Sequence, residues 1–255
     1  MLFRSIEPFV GGGSVFLNTK AKVYICNDLN THMIQLHKYL YSFKENRAKF
    51  FENFEKMIQV YGFSASYLGI TVPEELKKKY IKTYYAKFNK QAYDKLKKEY
   101  NQNKNDLLKL YVLLIYGFNH MLRFNKSCEF NLPVGNVDYN KNVYKALNAY
   151  FDFIDKNEVL FSNLDFESFL LDRKYSEGDF VYLDPPYLIS ACEYNKGWTE
   201  QSEIRLLSAL DQLNLRGIRF ALSNVFVHKG QSNSLLIKWA EKYTVERVKD
   251  RKSVV

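Results

Sequence analysis

Residues 180–187 are Phe180-Val181-Tyr182-Leu183-Asp184-Pro185-Pro186-Tyr187, an apolar run that ends in an acid, two prolines and an aromatic ring. The run predicts a buried β-strand, and the prolines restrict the backbone so that the groups around them stay aimed. A carboxylate at a strand tip can accept a hydrogen from a weakly nucleophilic amine, and an aromatic face can favour the positive charge that develops there. The alternative is an ordinary strand followed by a proline-rich turn with a solvated Asp184.

A second candidate site lies near the start of the chain, in the glycine-rich segment 6–16. It predicts a strand end, a turn and the start of a helix, because glycines let the backbone bend sharply and approach a ligand closely. The next apolar run, 22–26, ends in Asn27-Asp28, and an α/β nucleotide site places its ribose-hydroxyl acceptor at the tip of the second strand. An ordinary loop explains the glycines alone equally well. The three features together, in this order, are stronger evidence.

With these motifs the chain resembles the Dam-type DNA adenine N6-methyltransferases, in the group whose cofactor motif precedes the catalytic motif, and it is similar to the Dam enzymes of phages. The resemblance implies an α/β fold with a mostly parallel, Rossmann-like sheet of the S-adenosylmethionine-dependent methyltransferases, and an inserted, mainly helical DNA-recognition domain. It extends over nearly the whole chain. The matching segments are 7–18, 27–28, 117–125, 129–135, 164–166, 178–187 and 223–224.

The order of elements predicts two domains. Residues 1–41 and 158–255 form the methyltransferase core, whose alternating strands and helices predict a parallel sheet with ligands at the carboxyl ends of the strands. In this part Thr199 is expected to cap a helix that ends near Gly217, and a last helix is expected over 231–243. Residues 42–157 form the helical target-recognition insert.

Two features organise the insert. Residues 71–75 predict a helix start, and the apolar residues that follow at every fourth position are interpreted as core. These residues are Leu76, Tyr80, Tyr84 and Phe88. The segment 118–138 is rich in Asn, Gly and Pro, which predicts a hairpin or loop.

The positive charge of the chain is concentrated in the insert. The net charge is 37 − 28 = +9, and residues 42–157 contain 20 Lys or Arg and 12 Asp or Glu, a surplus of 20 − 12 = +8. A basic insert with many aromatic residues suits a polyanion such as duplex DNA, whose binding is then strongly salt-dependent. Solvated lysine-rich helix faces are the alternative.

The resemblance implies catalytic and cofactor roles. Asp184 would accept a hydrogen from the N6 amine of a flipped adenine, the Pro185 carbonyl would accept another, and Tyr187 would stack on the base. The catalytic set is thus Asp184, Pro185, Pro186 and Tyr187. The cofactor would be S-adenosylmethionine, with no metal, and Asp28 would bind its ribose hydroxyls. The cofactor-binding set is Glu7, Phe9, Gly11, Gly13, Asp28, Asp165, Phe166 and Asp184.

It also implies how DNA is read. By similarity Arg123 would contact guanine with its bidentate fork, and Met121 and Pro133 would meet a thymine methyl group, which indicates a GATC-like site. Phe118 would wedge into the base stack. The DNA-binding set is Phe118, Asn119, Met121, Arg123, Asn125 and Pro133. For Arg123 the alternative is a salt bridge to Glu129 or a general phosphate contact.

Both ends of the sequence depart from the family. Six residues precede Glu7, where the family has a segment of the Lys-Trp-Ala-Gly-Gly-Lys type, and Val255 stands about where a terminal antiparallel hairpin begins. One alternative is therefore a truncated relative that binds DNA without methylating it. Another is a methyltransferase for a different amine in RNA or protein, although an Asp at position 184 favours adenine.

The remaining expectations concern compartment and assembly. The three cysteines, Cys26, Cys128 and Cys192, lack the paired spacing of a zinc site or a disulfide framework. Neither a signal pattern nor an apolar run of membrane length is present. The expected protein is a monomer in the cytoplasm of a bacterial or phage-infected cell, with no membrane contact.

Overall fold

The structure is a computed structural model, and it describes residues 3–190 and 197–247. Cys192 lies outside these ranges. The chain forms two compact units, one made of residues 1–29 and 162–255 and the other of residues 30–161.

The described residues include a five-stranded sheet. Its strands are β1 (Arg4–Glu7), β2 (Val23–Asn27), β3 (Glu158–Ser162), β4 (Phe180–Leu183) and β5 (Arg219–Leu222), in the order β3-β2-β1-β4-β5. β1 pairs in parallel with both β2 and β4, and β4 pairs in parallel with β5. The mostly parallel, Rossmann-like sheet predicted from the sequence is confirmed.

The core of the first unit packs helices against this sheet. α8 (Glu200–Leu215) turns Leu206, Ala209, Leu210 and Leu213 inward, the spacing of one helical face. The helix begins at a capping box between Thr199 and Ser202 and ends before Gly217, as predicted. α7 (Phe166–Leu171) contributes Phe166, Phe169 and Leu170 to the same core, together with Ile6, Ile25, Val181 and Leu183 of the strands.

Two helix predictions in this unit were wrong in extent. The last helix, α9, covers only Ser234–Ala240, because Asn233 caps it and the preceding residues form a two-stranded antiparallel ribbon of β6 (Val227–His228) and β7 (Gln231–Ser232). After the glycine turn, the expected helix is a single 3₁₀ turn at Phe16–Asn18.

The second unit is mainly helical. Its core is aromatic, and the ring of Phe50 packs on those of Phe54, Tyr111 and Phe151 at centroid distances of 5.2 to 5.8 Å. The unit begins at Asn30, about twelve residues before the insert expected from the sequence, because its first helix packs against the fifth. The helices are α1 (Thr31–Tyr41), α2 (Arg47–Tyr61), α3 (Glu74–Lys79), α4 (Tyr84–Gln102), α5 (Leu107–Tyr116) and α6 (Lys141–Lys156).

The apolar residues at every fourth position, which were interpreted as core of the insert, are not part of its core. These residues are Leu76, Tyr80, Tyr84 and Phe88. The helix breaks between Tyr80 and Thr83, whose φ angles are −122° and −141°, and all four apolar residues are only half-buried. Asn136 stabilises the new start, since its Oδ1 accepts from the backbone N–H groups of Tyr85 and Ala86. The buried face of α4 is instead formed by Asn89, Ala92, Tyr93, Leu96 and Tyr100.

Two further features follow from the described residues. None of their helices combines the length and the apolarity needed to cross a bilayer. Cys26 is buried at the end of β2, and burial raises the pKa of its thiol, with the nearby Glu7 charge adding to the effect.

Candidate active site

The carboxyl ends of β1 and β4 meet at one edge of the sheet. In the parallel register Ser5 faces Phe180 and Ile6 faces Val181, so the loop after Glu7 and the segment after Leu183 leave the sheet on the same side. The register Glu7 to Cys26 brings the end of β2 to the same edge. The two motifs singled out in the sequence therefore lie at neighbouring strand tips.

Asn27 ties the loops of this edge together. Its side chain is fully buried, and its Nδ2 donates to the carbonyl oxygens of Pro8 (3.1 Å) and Leu164 (2.9 Å). Its Oδ1 accepts from the backbone N–H of Leu164 and from the Ser162 hydroxyl, both at 2.9 Å. No role for Asn27 of its own was predicted from the sequence. A fully paired buried amide at a strand end fixes the geometry of the surrounding loops.

The glycine turn closes onto Asp28. The Gly11 backbone N–H donates to Asp28 Oδ2 at 2.9 Å, and Gly11 and Gly13 both have left-handed backbones, with φ of +49° and +88°. At Gly13 a Cβ atom would lie 2.4 Å from Cε1 of Phe16, so the turn also depends on the missing side chain.

Glu7 is a buried acid at the base of this turn. Only 2% of the residue is exposed, and its Oε1 has no hydrogen-bond partner among the described residues. Burial raises the pKa of Glu7 to about 7, against the lowering effect of hydrogen bonds from the Phe16 backbone and the Ser5 side chain. An unpaired buried oxygen suits a ligand that brings an N–H donor or a positive charge.

The acidic tetrapeptide, Asp184-Pro185-Pro186-Tyr187, begins directly after β4. The Tyr187 hydroxyl donates to Asp184 Oδ1 at 2.8 Å and lies 3.1 Å from Oγ of Ser223. Asp184 is exposed and Pro185 is buried. Burial raises the pKa of Tyr187, and the hydrogen bond to Asp184 adds to this effect while that to Ser223 opposes it. Tyr187 thus remains a protonated donor to the carboxylate at neutral pH.

Three rings form an aromatic triad, Phe9, Phe166 and Trp198. Phe9 lies 5.5 Å from Phe166 and 5.7 Å from Trp198, and Phe166 lies 5.5 Å from Trp198. The two phenylalanines were predicted from the sequence as cofactor-binding residues, whereas Trp198 was not. The available signal was its position immediately before the Thr199 cap, which anchors it to the start of α8.

Asp165 is held by a residue that the sequence did not suggest. Its carboxylate caps α7 by accepting from the Glu167 N–H at 3.0 Å, and Arg205 donates to Asp165 Oδ1 at 2.6 Å and to Glu167 Oε2 at 2.7 Å. The Arg205 guanidinium also lies 4.9 Å from the Phe166 ring centroid. Within residues 3–190 and 197–247, no group of three or more His, Cys, Asp or Glu side chains is arranged to hold a metal ion.

The second unit carries the segment 118–138, which folds as an irregular hairpin. Isolated antiparallel bridges join Gly117 to Val134 and Phe124 to Phe130, in agreement with the hairpin or loop expected there. The Phe118 N–H donates to the Pro133 carbonyl at 3.0 Å, while half of Phe118 (51%) is exposed. Asn119 has a left-handed backbone, with φ of +53°. Pro133 is exposed and Met121 is half-buried.

Arg123 is oriented by Asn131. Its Nε donates to Asn131 Oδ1 at 3.0 Å, and one terminal nitrogen donates to the Asn131 carbonyl at 2.7 Å. Glu129, the salt-bridge partner considered from the sequence, instead accepts from Asn125 Nδ2 at 2.8 Å. The planar guanidinium of Arg123 is therefore held on one side by the neutral Asn131, and Glu129 does not form a salt bridge with it.

Residues 3–254 match the family described as D12 class N6 adenine-specific DNA methyltransferase. The chain is 36% identical over 243 residues to the modification methylase StsI of Streptococcus sanguinis, covering 92% of this chain and 33% of that protein. It is 32% identical over 252 residues to the type II methyltransferase M.FokI of Planomicrobium okeanokoites, covering 95% and 35%. It is 26% identical over 258 residues to the DNA adenine methylase of Escherichia coli K12, covering 98% and 79%. The chain thus spans about a third of the length of the first two relatives.

Proposed function

The chain belongs to the family of D12 class N6 adenine-specific DNA methyltransferases, and from this premise we propose that it transfers a methyl group from S-adenosylmethionine to the N6 amine of adenine in duplex DNA. The adenine would leave the helix to reach the site, at a cost of a few kcal/mol of unstacking. The proposed substrate is a GATC-like sequence. We also propose that the protein acts as a monomer in the cytoplasm of a bacterial or phage-infected cell.

The first unit offers groups that fit the proposed cofactor. Asp28 would accept hydrogen bonds from the ribose hydroxyls, and the unpaired Glu7 oxygen suits the positively charged methionine end. The backbone at Gly11 and Gly13, which carries no side chain, would allow the cofactor to approach the turn closely. Phe9 and Phe166, with Trp198, would supply apolar walls, and Asp165 would flank the adenine ring. When bound, the cofactor supplies an electrophilic methyl group on a sulfonium.

The catalytic residues would act by positioning and electrostatics. Asp184 would accept one hydrogen of the target amine and the Pro185 carbonyl the other, which turns the nitrogen lone pair toward the methyl group. Pro186 would fix the backbone that follows the Pro185 carbonyl. The Tyr187 ring would stack on the flipped base while its hydroxyl steadies Asp184 across 2.8 Å. Stacking would favour the positive charge that develops on the base.

The register of β1 with β4 is the observation that carries this proposal. It sends the glycine turn and the acidic tetrapeptide out of the same edge of one sheet. Methyl transfer requires a donor and an acceptor within reach of each other, and open α/β sheets bind ligands at this edge. An arrangement with the two motifs on opposite edges would exclude the reaction.

DNA recognition is proposed for the segment 118–138. Arg123 would read guanine, Met121 and Pro133 would contact a thymine methyl group, and Phe118 would enter the base stack. Asn119 and Asn125 would contact phosphate or bases. The charge surplus of 20 − 12 = +8 in residues 42–157 supports a DNA partner.

A methylation assay tests the proposal. The purified chain is incubated with radiolabelled S-adenosylmethionine and duplexes that contain GATC or single-base variants, and the products are digested with methylation-sensitive nucleases. We expect label on the adenine of GATC and weaker labelling of variants at the flanking pairs. A chain that binds these duplexes but labels none of them would instead be the DNA-binding relative without methyltransferase activity, and no measurable binding of the cofactor would favour this alternative.

A further inference from the structure

Glu203 is a fully buried acid on α8 that the mechanism above does not use. Its Oε2 accepts from Nε1 of Trp198 at 2.7 Å. Its Oε1 accepts from Nδ2 of Asn233 at 2.9 Å and from Nδ2 of Asn224 at 3.4 Å. All three donors are uncharged side chains. Burying a carboxylate is costly, and an apolar residue would fill the same volume without that cost, so its hydrogen bonds point to a specific task.

The partners of Glu203 connect it to both halves of the candidate active site. Trp198 belongs to the aromatic triad, where its ring packs on Phe9 and Phe166. Asn224 directly follows Ser223, whose hydroxyl lies 3.1 Å from that of Tyr187. The Glu203 carboxylate thus accepts hydrogen bonds from Trp198, the third ring of the triad, and from Asn224, the neighbour of the Ser223 that contacts Tyr187.

We propose that Glu203 is a positioning residue for methyl transfer, which sets the orientation of Trp198 against Phe9 and Phe166 and thereby the shape of the cofactor pocket. The proposal rests on the proposed function, because it assigns the triad to the cofactor. The hydrogen bond fixes the indole by its polar edge and leaves its faces to pack on other rings. Glu203 acts through Trp198 and touches no reacting atom.

The test separates this role from a general contribution to stability. Glu203→Gln keeps one acceptor oxygen, but its amide NH₂ faces donors and cannot accept from them. Trp198→Phe keeps a ring and removes the indole donor, so it breaks the same contact from the other side. Binding of S-adenosylhomocysteine is measured by calorimetry for the wild type, both single variants and the double variant. Duplex DNA affinity and thermal unfolding are measured alongside.

We expect Glu203→Gln to weaken S-adenosylhomocysteine binding about tenfold, the effect of losing one hydrogen bond to a charged group. In the Trp198→Phe background the same change should have little further effect, because the two residues act through one contact. DNA affinity should not change. Trp198 and Trp239 are the two tryptophans of the chain. In a Trp239→Phe background, Glu203→Gln should therefore shift the emission of Trp198.

Four results would overturn the proposal. Unchanged binding in Glu203→Gln, or additive losses in the double variant, would show that Glu203 does not act through Trp198. If Glu203→Gln fails to fold, the Trp198→Phe variant provides the test. A Trp198→Phe variant that binds S-adenosylhomocysteine with wild-type affinity would contradict the proposal. Failure of the wild type itself to bind S-adenosylhomocysteine would remove the proposed function as well, which distinguishes the two failures.

Discussion

The hydroxyl of Tyr187 donates to Oδ1 of Asp184 across 2.8 Å, so the last residue of the acidic tetrapeptide orients the first. Tyr187 therefore has two separable parts, a ring proposed to stack on the base and a hydroxyl that steadies the carboxylate. A second contact, with Ser223 at 3.1 Å, holds the hydroxyl in place.

Tyr187→Phe and Tyr187→Ala should separate these two parts. The phenylalanine variant keeps the ring and should lose about tenfold in the rate of methyl transfer, the effect of one hydrogen bond to a charged group. The alanine variant also loses stacking, worth about 1–3 kcal/mol per base, and should be slower by a further ten- to hundredfold. Single-turnover rates measure both. Equal rates for the two variants would contradict a role for the ring.

Asp184→Asn should slow transfer far more than it weakens DNA binding. The substitution keeps the size of the side chain but removes the negative charge that would polarise the amine, so we expect the rate to fall by about 10²–10³. Asp184 lies in the first unit, and the residues proposed to read DNA lie in the second. DNA affinity, measured by fluorescence anisotropy, should stay within about twofold, and a proportionate loss of both would argue against this division of roles.

Glu7→Gln should change how stability depends on pH. The pKa of Glu7 is raised from 4.5 to about 7 in the folded chain. Between these values the unfolded chain releases the proton and the folded chain keeps it, so the free energy of unfolding falls as pH rises. The contribution is complete below pH 4.5 and is lost through about pH 7, and it amounts to about 3 kcal/mol.

Urea denaturation of the wild type and Glu7→Gln at pH 4.5 and pH 8 measures this effect. Other groups titrate in both proteins, so the difference between the two is the informative quantity. The glutamine variant should gain stability relative to the wild type as pH rises. Parallel pH profiles would mean that Glu7 is charged in the folded chain throughout this range.

Gly13→Ala should damage the glycine turn, and Gly12→Ala provides the matched control. A Cβ at Gly13 would meet Phe16 at 2.4 Å and sit on a backbone with φ of +88°, whereas one at Gly12 meets nothing within 4 Å. We expect a loss of about 1–3 kcal/mol for Gly13→Ala and less than about 0.5 kcal/mol for Gly12→Ala. Thermal unfolding and S-adenosylhomocysteine binding report the difference, and two equal variants would contradict it.

Arg123→Lys should relax sequence preference without removing charge. A lysine cannot reproduce the planar fork that Asn131 holds, so discrimination at one base pair should fall by about 1–3 kcal/mol. Affinities for duplexes with single-base changes measure this. The control is Lys126→Ala on the same hairpin, which should weaken all duplexes equally and reduce the salt slope by about one. Uniform weakening by Arg123→Lys would indicate a phosphate contact instead.

The sheet was predictable because its signals are local. Apolar runs before Asp28 and Asp184 each marked a strand and its carboxyl end, and the glycine-rich segment 6–16 marked another strand end; a parallel sheet then requires these ends to meet at shared edges. Thr199 was recognisable as a cap for the same reason, since its hydrogen bonds lie within four residues.

The supporting residues were not predictable because their contacts are distant in sequence. Arg205 reaches Asp165 across 40 positions, and Glu203 reaches Asn233 across 30. In the insert, the apolar periodicity predicted one helix through Tyr80, where the structure has a break. Periodicity carries no information about Asn136, which caps the start of the next helix from 50 positions away in the sequence.

The central location of β1 has a consequence for biosynthesis. Ile6 faces Ile25 on one side, only 25 − 6 = 19 residues later, but its other neighbour, Val181, follows after 181 − 6 = 175 residues. At roughly 5–20 residues per second, translation would leave one side of β1 unpaired for about 10–35 seconds. A nascent chain released before Leu183 would keep that backbone edge open to intermolecular pairing, so premature termination in this gene should yield aggregates rather than a soluble amino-terminal fragment.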